Sequence, residues 1–300
     1  MTRQPLPLFL ASLLASCAGA QHPWPEPTTC ELAGPEATAP GPEKWIKLLL
    51  RGYDPESRKV TSPALDCRDT QVRWEAPSFA CFDNALATTM LPPRPLGEAD
   101  VIVSRIGDGF GLTWVITNRF ASGDALGPVA IVEQKEGRLA VHALGALRAY
   151  PDKATLRLEK LGGLTVLVAE GQLCASADPA TCVRSARLMP LRGDRFSPEP
   201  LFSEVGACAS PAWFDLDRRE SAALETGWTR RNTLAASLVF GPEGLRVEEQ
   251  LVVHDLDPRD KQARPRVFRK ADGERTVKPV EAKLVTTGRS VWSTVVGGGK

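Results

Sequence analysis

Leu156-Arg157-Leu158-Glu159-Lys160-Leu161-Gly162-Gly163-Leu164-Thr165-Val166-Leu167-Val168 decides the fold: two short runs of aliphatic and β-branched residues face each other across a Gly-Gly pair. Neither run shows the three-and-four spacing of a helix, and Gly-Gly supplies the positive φ of a tight turn, so the stretch reads as strand, turn, strand. The same unit recurs in both directions. Towards the N-terminus, Val129-Ala130-Ile131-Val132 meets Leu139-Ala140-Val141 around Glu136-Gly137, and Val101-Ile102-Val103 meets Leu112-Thr113-Trp114-Val115-Ile116 around Gly107-Asp108-Gly109. Earlier still, Ile46-Lys47-Leu48-Leu49-Leu50 reads as a strand that turns at Tyr53-Asp54-Pro55-Glu56-Ser57 into Lys59-Val60-Thr61, since Pro fixes φ at the turn and Asp bonds back to the chain. Towards the C-terminus, Arg187-Leu188-Met189 precedes Gly193-Asp194-Arg195-Phe196, and Leu238-Val239-Phe240 meets Leu245-Arg246-Val247 across Gly241-Pro242-Glu243-Gly244. Gln250-Leu251-Val252-Val253 and Leu284-Val285 are the last strands.

Turns at this density predict an antiparallel all-β protein with few helices. Hairpins near 129, 184 and 236 recur at roughly fifty residues, close to the blade spacing of β-propellers, which predicts a propeller-like arrangement. A β-sandwich accounts for the same hairpins without a repeat. The cluster Leu91-Pro92-Pro93-Arg94-Pro95 divides a small β module, 44–90, from a main β domain, 98–295, and Gly297-Gly298-Gly299-Lys300 reads as a tail.

The 300 residues carry 37 Lys+Arg against 36 Asp+Glu, and 43% are hydrophobic, the composition of a globular protein with a core. The near-zero net charge and the lack of a clustered basic excess argue against a nucleic-acid partner.

Residues 1–16 have a short polar start with Arg3, an apolar stretch Leu6-Pro7-Leu8-Phe9-Leu10-Ala11-Ser12-Leu13-Leu14, and small residues Ala15 and Ser16. This is a secretory signal layout, too short in its apolar part for the ~20 residues of a membrane-spanning helix. Leu14-Ala15-Ser16-Cys17 resembles the lipobox of bacterial lipoproteins. The resemblance covers residues 1–17 only. It implies cleavage before Cys17, acylation of its sulfur and new amino group with palmitate-class chains, and, because Ala18 and not Asp follows, sorting to the outer membrane. Two or more acyl chains hold a protein firmly to a bilayer. Residues 18–43 are rich in Pro, Ala, Gly and Thr without apolar periodicity, so 17–43 reads as a lipidated tether.

Setting Cys17 aside, six cysteines remain: Cys30, Cys67, Cys81, Cys174, Cys182 and Cys208. An even number in an exported chain predicts three disulfides. Short separations pair Cys174 with Cys182 and Cys67 with Cys81, which leaves Cys30 with Cys208. Zinc would need C-x-x-C or closely spaced histidines, and the sequence has neither, so no metal or other cofactor is expected.

The motifs of chemistry fail individually. Gly107-Asp108-Gly109-Phe110-Gly111 is followed by a strand pattern and not by the helix N-terminus that a phosphate loop needs. His254-Asp255-Leu256-Asp257-Pro258-Arg259-Asp260 is oxygen-rich, but it lacks the EF-hand glycine and has Arg266 in place of the bidentate acid. Asp215 and Asp217 fall on one face of a strand as a carboxylate pair. His142 and His254 are the imidazoles of the body, both set in apolar runs; no G-x-S-x-G or H-E-x-x-H accompanies them, and no catalytic residue is assigned. Trp228 beside Arg230 and Arg231 has the composition of an interface hot spot.

These readings lead to one expectation: a lipid-anchored bacterial envelope protein, periplasmic or surface-facing, that binds or assembles with an envelope protein or glycan and is not an enzyme. The alternative is a surface-tethered hydrolase acting on polysaccharide or peptide. A subunit of a transport or secretion machine differs from the first only in its partner.

Overall fold

The computed structural model describes residues 24–34, 37–74, 89–135, 137–175, 182–257, 259 and 264–296. The signal segment, Cys17 and Cys81 lie outside them. Strands dominate, as predicted, and backbone hydrogen bonds join seventeen of them into one continuous sheet.

The chain enters with β1 (Glu31–Ala33), α1 (Pro42–Leu49), β2 (Leu50–Arg51) and β3 (Leu65–Asp66). Helix α1 replaces the strand expected at 46–50. Pro42 stands at its first position, Glu43 pairs with Lys47 one turn on at 2.7 Å, and Ile46 and Leu49 bury on one face. The apolar spacing of 46 and 49 is the helical signal that the continuous Leu run conceals. The turn after it forms as read: the Asp54 carboxylate accepts from the backbone of Glu56 and Ser57, although only an isolated bridge joins Asp54 to Lys59.

The part of the expected tether that is described belongs to the body. Cys30 and Ala37 are buried, β1 pairs with the start of β8, and Trp24 rests 6.5 Å from the Phe110 ring. Nor is 44–90 a separate module in its described part. Ile46, Leu48 and Leu49 share one core with Val115, Ala130, Val132, Val141 and Leu144 of the strands that follow.

Those strands are β4 (Val101–Gly107), β5 (Phe110–Val115), β6 (Asn118–Arg119), β7 (Ala125–Lys135) and β8 (Arg138–Ala149). Gly107 to Gly109 is the β4–β5 hairpin turn, with Gly109 at φ 75°. β7 and β8 are buried on both faces, which explains their near-continuous apolar sequence. Alternate residues serve two cores: Ala130 and Val132 face α1, while Val129 and Ile131 face the next layer.

That layer contains β9 (Asp152–Leu161), β10 (Leu164–Cys174), β11 (Cys182–Arg192) and β12 (Arg195–Phe196), then β13 (Pro200–Ser203) and β14 (Cys208–Pro211). The hairpin around Gly162-Gly163 is β9–β10, with Leu161 opposite Leu164. β12 connects the halves by pairing antiparallel with β11 and parallel with β8. Four long strands follow, β15 (Trp213–Ala223), β16 (Thr229–Gly241), β17 (Gly244–Leu256) and β18 (Arg266–Val280), then β19 (Lys283–Thr286) and a short α2 (Val291–Val295). The sheet curls on itself, so that Leu161, Val166 and Leu188 of β9–β11 pack against Leu245, Val247 and Val277 of β17–β18.

The all-β architecture is as expected, but the described strands do not close into a propeller. Strands of eleven to fifteen residues pair in sequential order from β15 to β18, and the sheet continues through β12 instead of breaking into four-stranded blades. Among the described residues no helix is long and apolar enough to cross a membrane.

Two disulfides staple the body. Cys174 and Cys182 face each other across β10 and β11, as expected from their separation. Cys30 joins Cys67, so neither the expected Cys30–Cys208 nor the expected Cys67–Cys81 pair forms, because the start of β1 and the turn after β3 meet at the same core. Cys208 is also disulfide-bonded. Such bonds agree with an exported protein.

Candidate functional site

The curl of the sheet leaves a cavity of about 1070 Å³ between the end of β8, the β13–β14 hairpin, the long strands and α2. The side chains at its floor come from strands far apart in sequence.

On β17, Leu245, Val247, Leu251 and Val253 turn inward, while Arg246, Glu248 and Gln250 face solvent. Glu249 occupies an inward position of that alternation and is 4% exposed. A lone buried carboxylate is costly, so it must be bonded. It accepts from Arg275 Nε at 3.1 Å and from the Val291 backbone N–H at 2.7 Å, with Arg275 Nη2 2.9 Å away as an ion pair. Glu249 therefore fastens α2 to the sheet. Ser290 caps that helix by accepting from the Trp292 N–H, and Gly273 makes room for it, because a β-carbon there would overlap Val291 Cγ2.

Beside this pair, Arg218 donates to Asp215 at 3.0 Å and to Glu220 at 2.5 Å, with its guanidinium 4.4 Å above the Trp292 ring. Burial pulls that guanidinium down, but the two carboxylates outweigh it and its pKa is raised.

Under the opposite wall, Asp124 is 1% exposed and accepts from the Ser122 hydroxyl and from Arg148. Arg187 lies next to Arg148, 2% exposed, with Nε donating to the Arg148 carbonyl at 3.2 Å. Its guanidinium sits 4.0 Å from the Trp213 ring and 4.5 Å from the Trp74 ring, and Nη2 has no hydrogen-bond partner among the described residues. Burial, and then the repulsion of Arg148, push Arg187 down to about 9, so the cation stays charged at neutral pH and the two indoles take the place of water. Tyr150 meets Trp213 edge-on at 5.3 Å; burial first, then Asp215 and Asp124, push its hydroxyl pKa up.

The ionisable groups of the floor thus neutralise one another, and the exposed rim adds one charge of each sign, Glu204 and Arg289. Aromatic surfaces, hydroxyls and compensated charges suit a polar ligand without strong net charge.

Of the residues singled out in the sequence, only Asp215 lines the cavity through its carboxylate chemistry. Each of the two carboxylates has its own arginine, Asp215 with Arg218 at 3.0 Å and Asp217 with Arg219 at 3.3 Å, and a register shift opposite β11 falls between them. His142 is buried between the Pro25 carbonyl, 2.6 Å from Nδ1, and Glu133, 3.2 Å from Nε2. It fixes the incoming N-terminal segment. Asp255 and Asp257 are held by Arg230 and Arg259, both with lowered pKa from those hydrogen bonds. Trp228 is half-buried in the β15–β16 turn, Arg230 makes a bidentate bond with Asp255 at 2.8 and 3.0 Å, and Arg231 stands opposite His254; all three lie at the far tip of the long strands.

Glu249 had a readable signal, an acid inside a strict apolar alternation. Arg187, Tyr150 and Arg275 had none. No family model matches the chain, and no curated protein or solved structure shows significant similarity to it.

Proposed function

We propose that the chain is an exported bacterial lipoprotein, anchored through Cys17, that binds a polar segment of a glycan or peptide in the cavity between β14, β17 and α2. The observation that carries the reading is the floor of that cavity, where Arg218 with Asp215 and Arg275 with Glu249 form closed pairs beside Tyr150, Trp213 and Trp292. Paired groups of this kind hold and orient a ligand. The lipobox-like start and the disulfides support the envelope location.

The test has two parts. Intact mass of the protein from a bacterial membrane fraction is expected to show loss of residues 1–16, added lipid at Cys17, and no alkylation before reduction. Soluble glycan fragments and peptides from the envelope are then titrated against wild type and Trp213→Ala by calorimetry. Saturable heat lost in the variant supports binding, whereas turnover of the fragments, or equal heat from both proteins, overturns it.

A further inference from the structure

Beyond the cavity, β15–β18 run on past the body as a four-stranded wing. β15 leaves its β11 partner after Asp217, and β18 has no second partner before Val277, so both outer edges of the wing are open among the described residues. The register sets Arg230, Asp255 and Arg266 in one row across three strands, and Arg231, His254 and Val267 in the next. Two basic stretches some thirty-five residues apart in sequence thereby meet at one end, since neighbouring strands are ~4.8 Å apart.

Two of the described acids at that end are engaged, Asp255 by Arg230 and Asp257 by Arg259, which leaves the exposed Glu225 of the β15–β16 turn against five cations. Arg231, Arg264, Arg266, Arg269 and Lys270 have no salt-bridge partner among the described residues, and every residue from 264 to 270 is exposed. Phe268 (57% exposed) and Val267 (48% exposed) stand among these cations, Phe268 carrying the Arg230 guanidinium 3.8 Å above its ring. We propose that the wing tip is a docking surface for an anionic lipid headgroup layer, in which the five cations meet phosphates and Phe268 and Val267 enter the interface. Charge complementarity selects an anionic surface, and exposed apolar side chains ringed by cations at a protruding tip suit shallow insertion. Nothing in this assignment depends on Cys17.

The test uses the full chain as Cys17→Ser, which cannot be acylated, with sedimentation on vesicles of phosphatidylglycerol and phosphatidylethanolamine, 1:1, and on phosphatidylcholine alone. Binding is expected on the anionic vesicles only and weaker in high salt. Arg269→Ser/Lys270→Ser is expected to weaken it on the order of twentyfold, from roughly fivefold per cation at an anionic surface. Phe268→Ser weakens it without changing the salt dependence. Because all three side chains are exposed, circular dichroism is expected to be unchanged. Equal retention on phosphatidylcholine, unchanged binding by both variants, or no retention at all, as an acidic protein partner would give, overturns the proposal.

Discussion

Removing Glu249 tests whether the buried pair holds the C-terminal helix and closes the cavity. The Glu249 side chain is 2% exposed and that of Arg275 11%, and Glu249 receives two hydrogen bonds, from Arg275 Nε and the Val291 N–H, beside the ion-pair contact with Arg275 Nη2. Breaking a buried pair by deleting one partner costs about 3–5 kcal/mol, because the surviving charge is left without compensation. Glu249→Leu is therefore expected to destabilise by that amount. With an m-value on the order of 2.5 kcal/mol/M in urea, the midpoint falls by about 1–2 M. Glu249→Leu/Arg275→Met removes both charges and replaces them with apolar groups of similar volume, and is expected to recover most of the loss, since such replacements are often neutral. Urea unfolding of the disulfide-intact protein, followed by Trp fluorescence, gives all the midpoints, and hydrogen exchange at Val291–Val295 reports the helix. A shift below ~0.3 M in the single variant, or a double variant no more stable than the single, refutes the reasoning.

Other expectations concern separate parts of the molecule. Gly273→Ala forces a β-carbon onto Val291 and is expected to cost about 1–3 kcal/mol, with faster exchange confined to 290–296; an unchanged midpoint contradicts the contact. A non-reducing peptide map should return Cys30 with Cys67 and Cys174 with Cys182, and a bridged third peptide with Cys208; Cys30→Ser/Cys67→Ser opens a 37-residue separation and is expected to lose about 4 kcal/mol by loop entropy, read as a urea midpoint. The chain has two tyrosines, Tyr53 and Tyr150, both with raised pKa and Tyr150 the more deeply buried. The folded protein keeps the Tyr150 proton above pH 10, where the unfolded chain releases it, so its contribution to stability is complete below pH 10 and falls as pH rises through the folded value. Absorbance at 295 nm should show a late step that Tyr150→Phe removes; a single step near 10 in wild type rules this out.

Strand content was legible because each hairpin is local: Gly162-Gly163 and Gly107-Asp108-Gly109 carry their turn chemistry within a dozen residues. The curl was not, since the core that Val166 and Val277 share depends on which distant strands meet, and alternation looks the same in a blade, a sandwich or a coiled sheet. Low-complexity composition also misled at 24–43, where short apolar residues such as Ala37 fit a tight gap against the end of β7 as well as they fit a spacer. The cavity depends on tertiary proximity throughout, and only Glu249 announced itself, by interrupting an apolar face. The pairing of Arg187 with two indoles was illegible because nothing local distinguishes an arginine that will be buried from its exposed neighbours.

The N-terminal segment docks at the turn end of β7–β8, with the Thr28 N–H on the Val141 carbonyl and Glu31 opposite Ala140, whereas Ser122, Asp124 and Tyr150 stand at the other end of the same hairpin. Nine strand residues separate Ala140 from Ala149, about 30 Å at 3.3 Å each. The hairpin therefore acts as a rigid mast: whatever holds the chain before Trp24, the cavity rides one strand length beyond that mooring, and lengthening the segment before Trp24 moves the whole body without changing that offset.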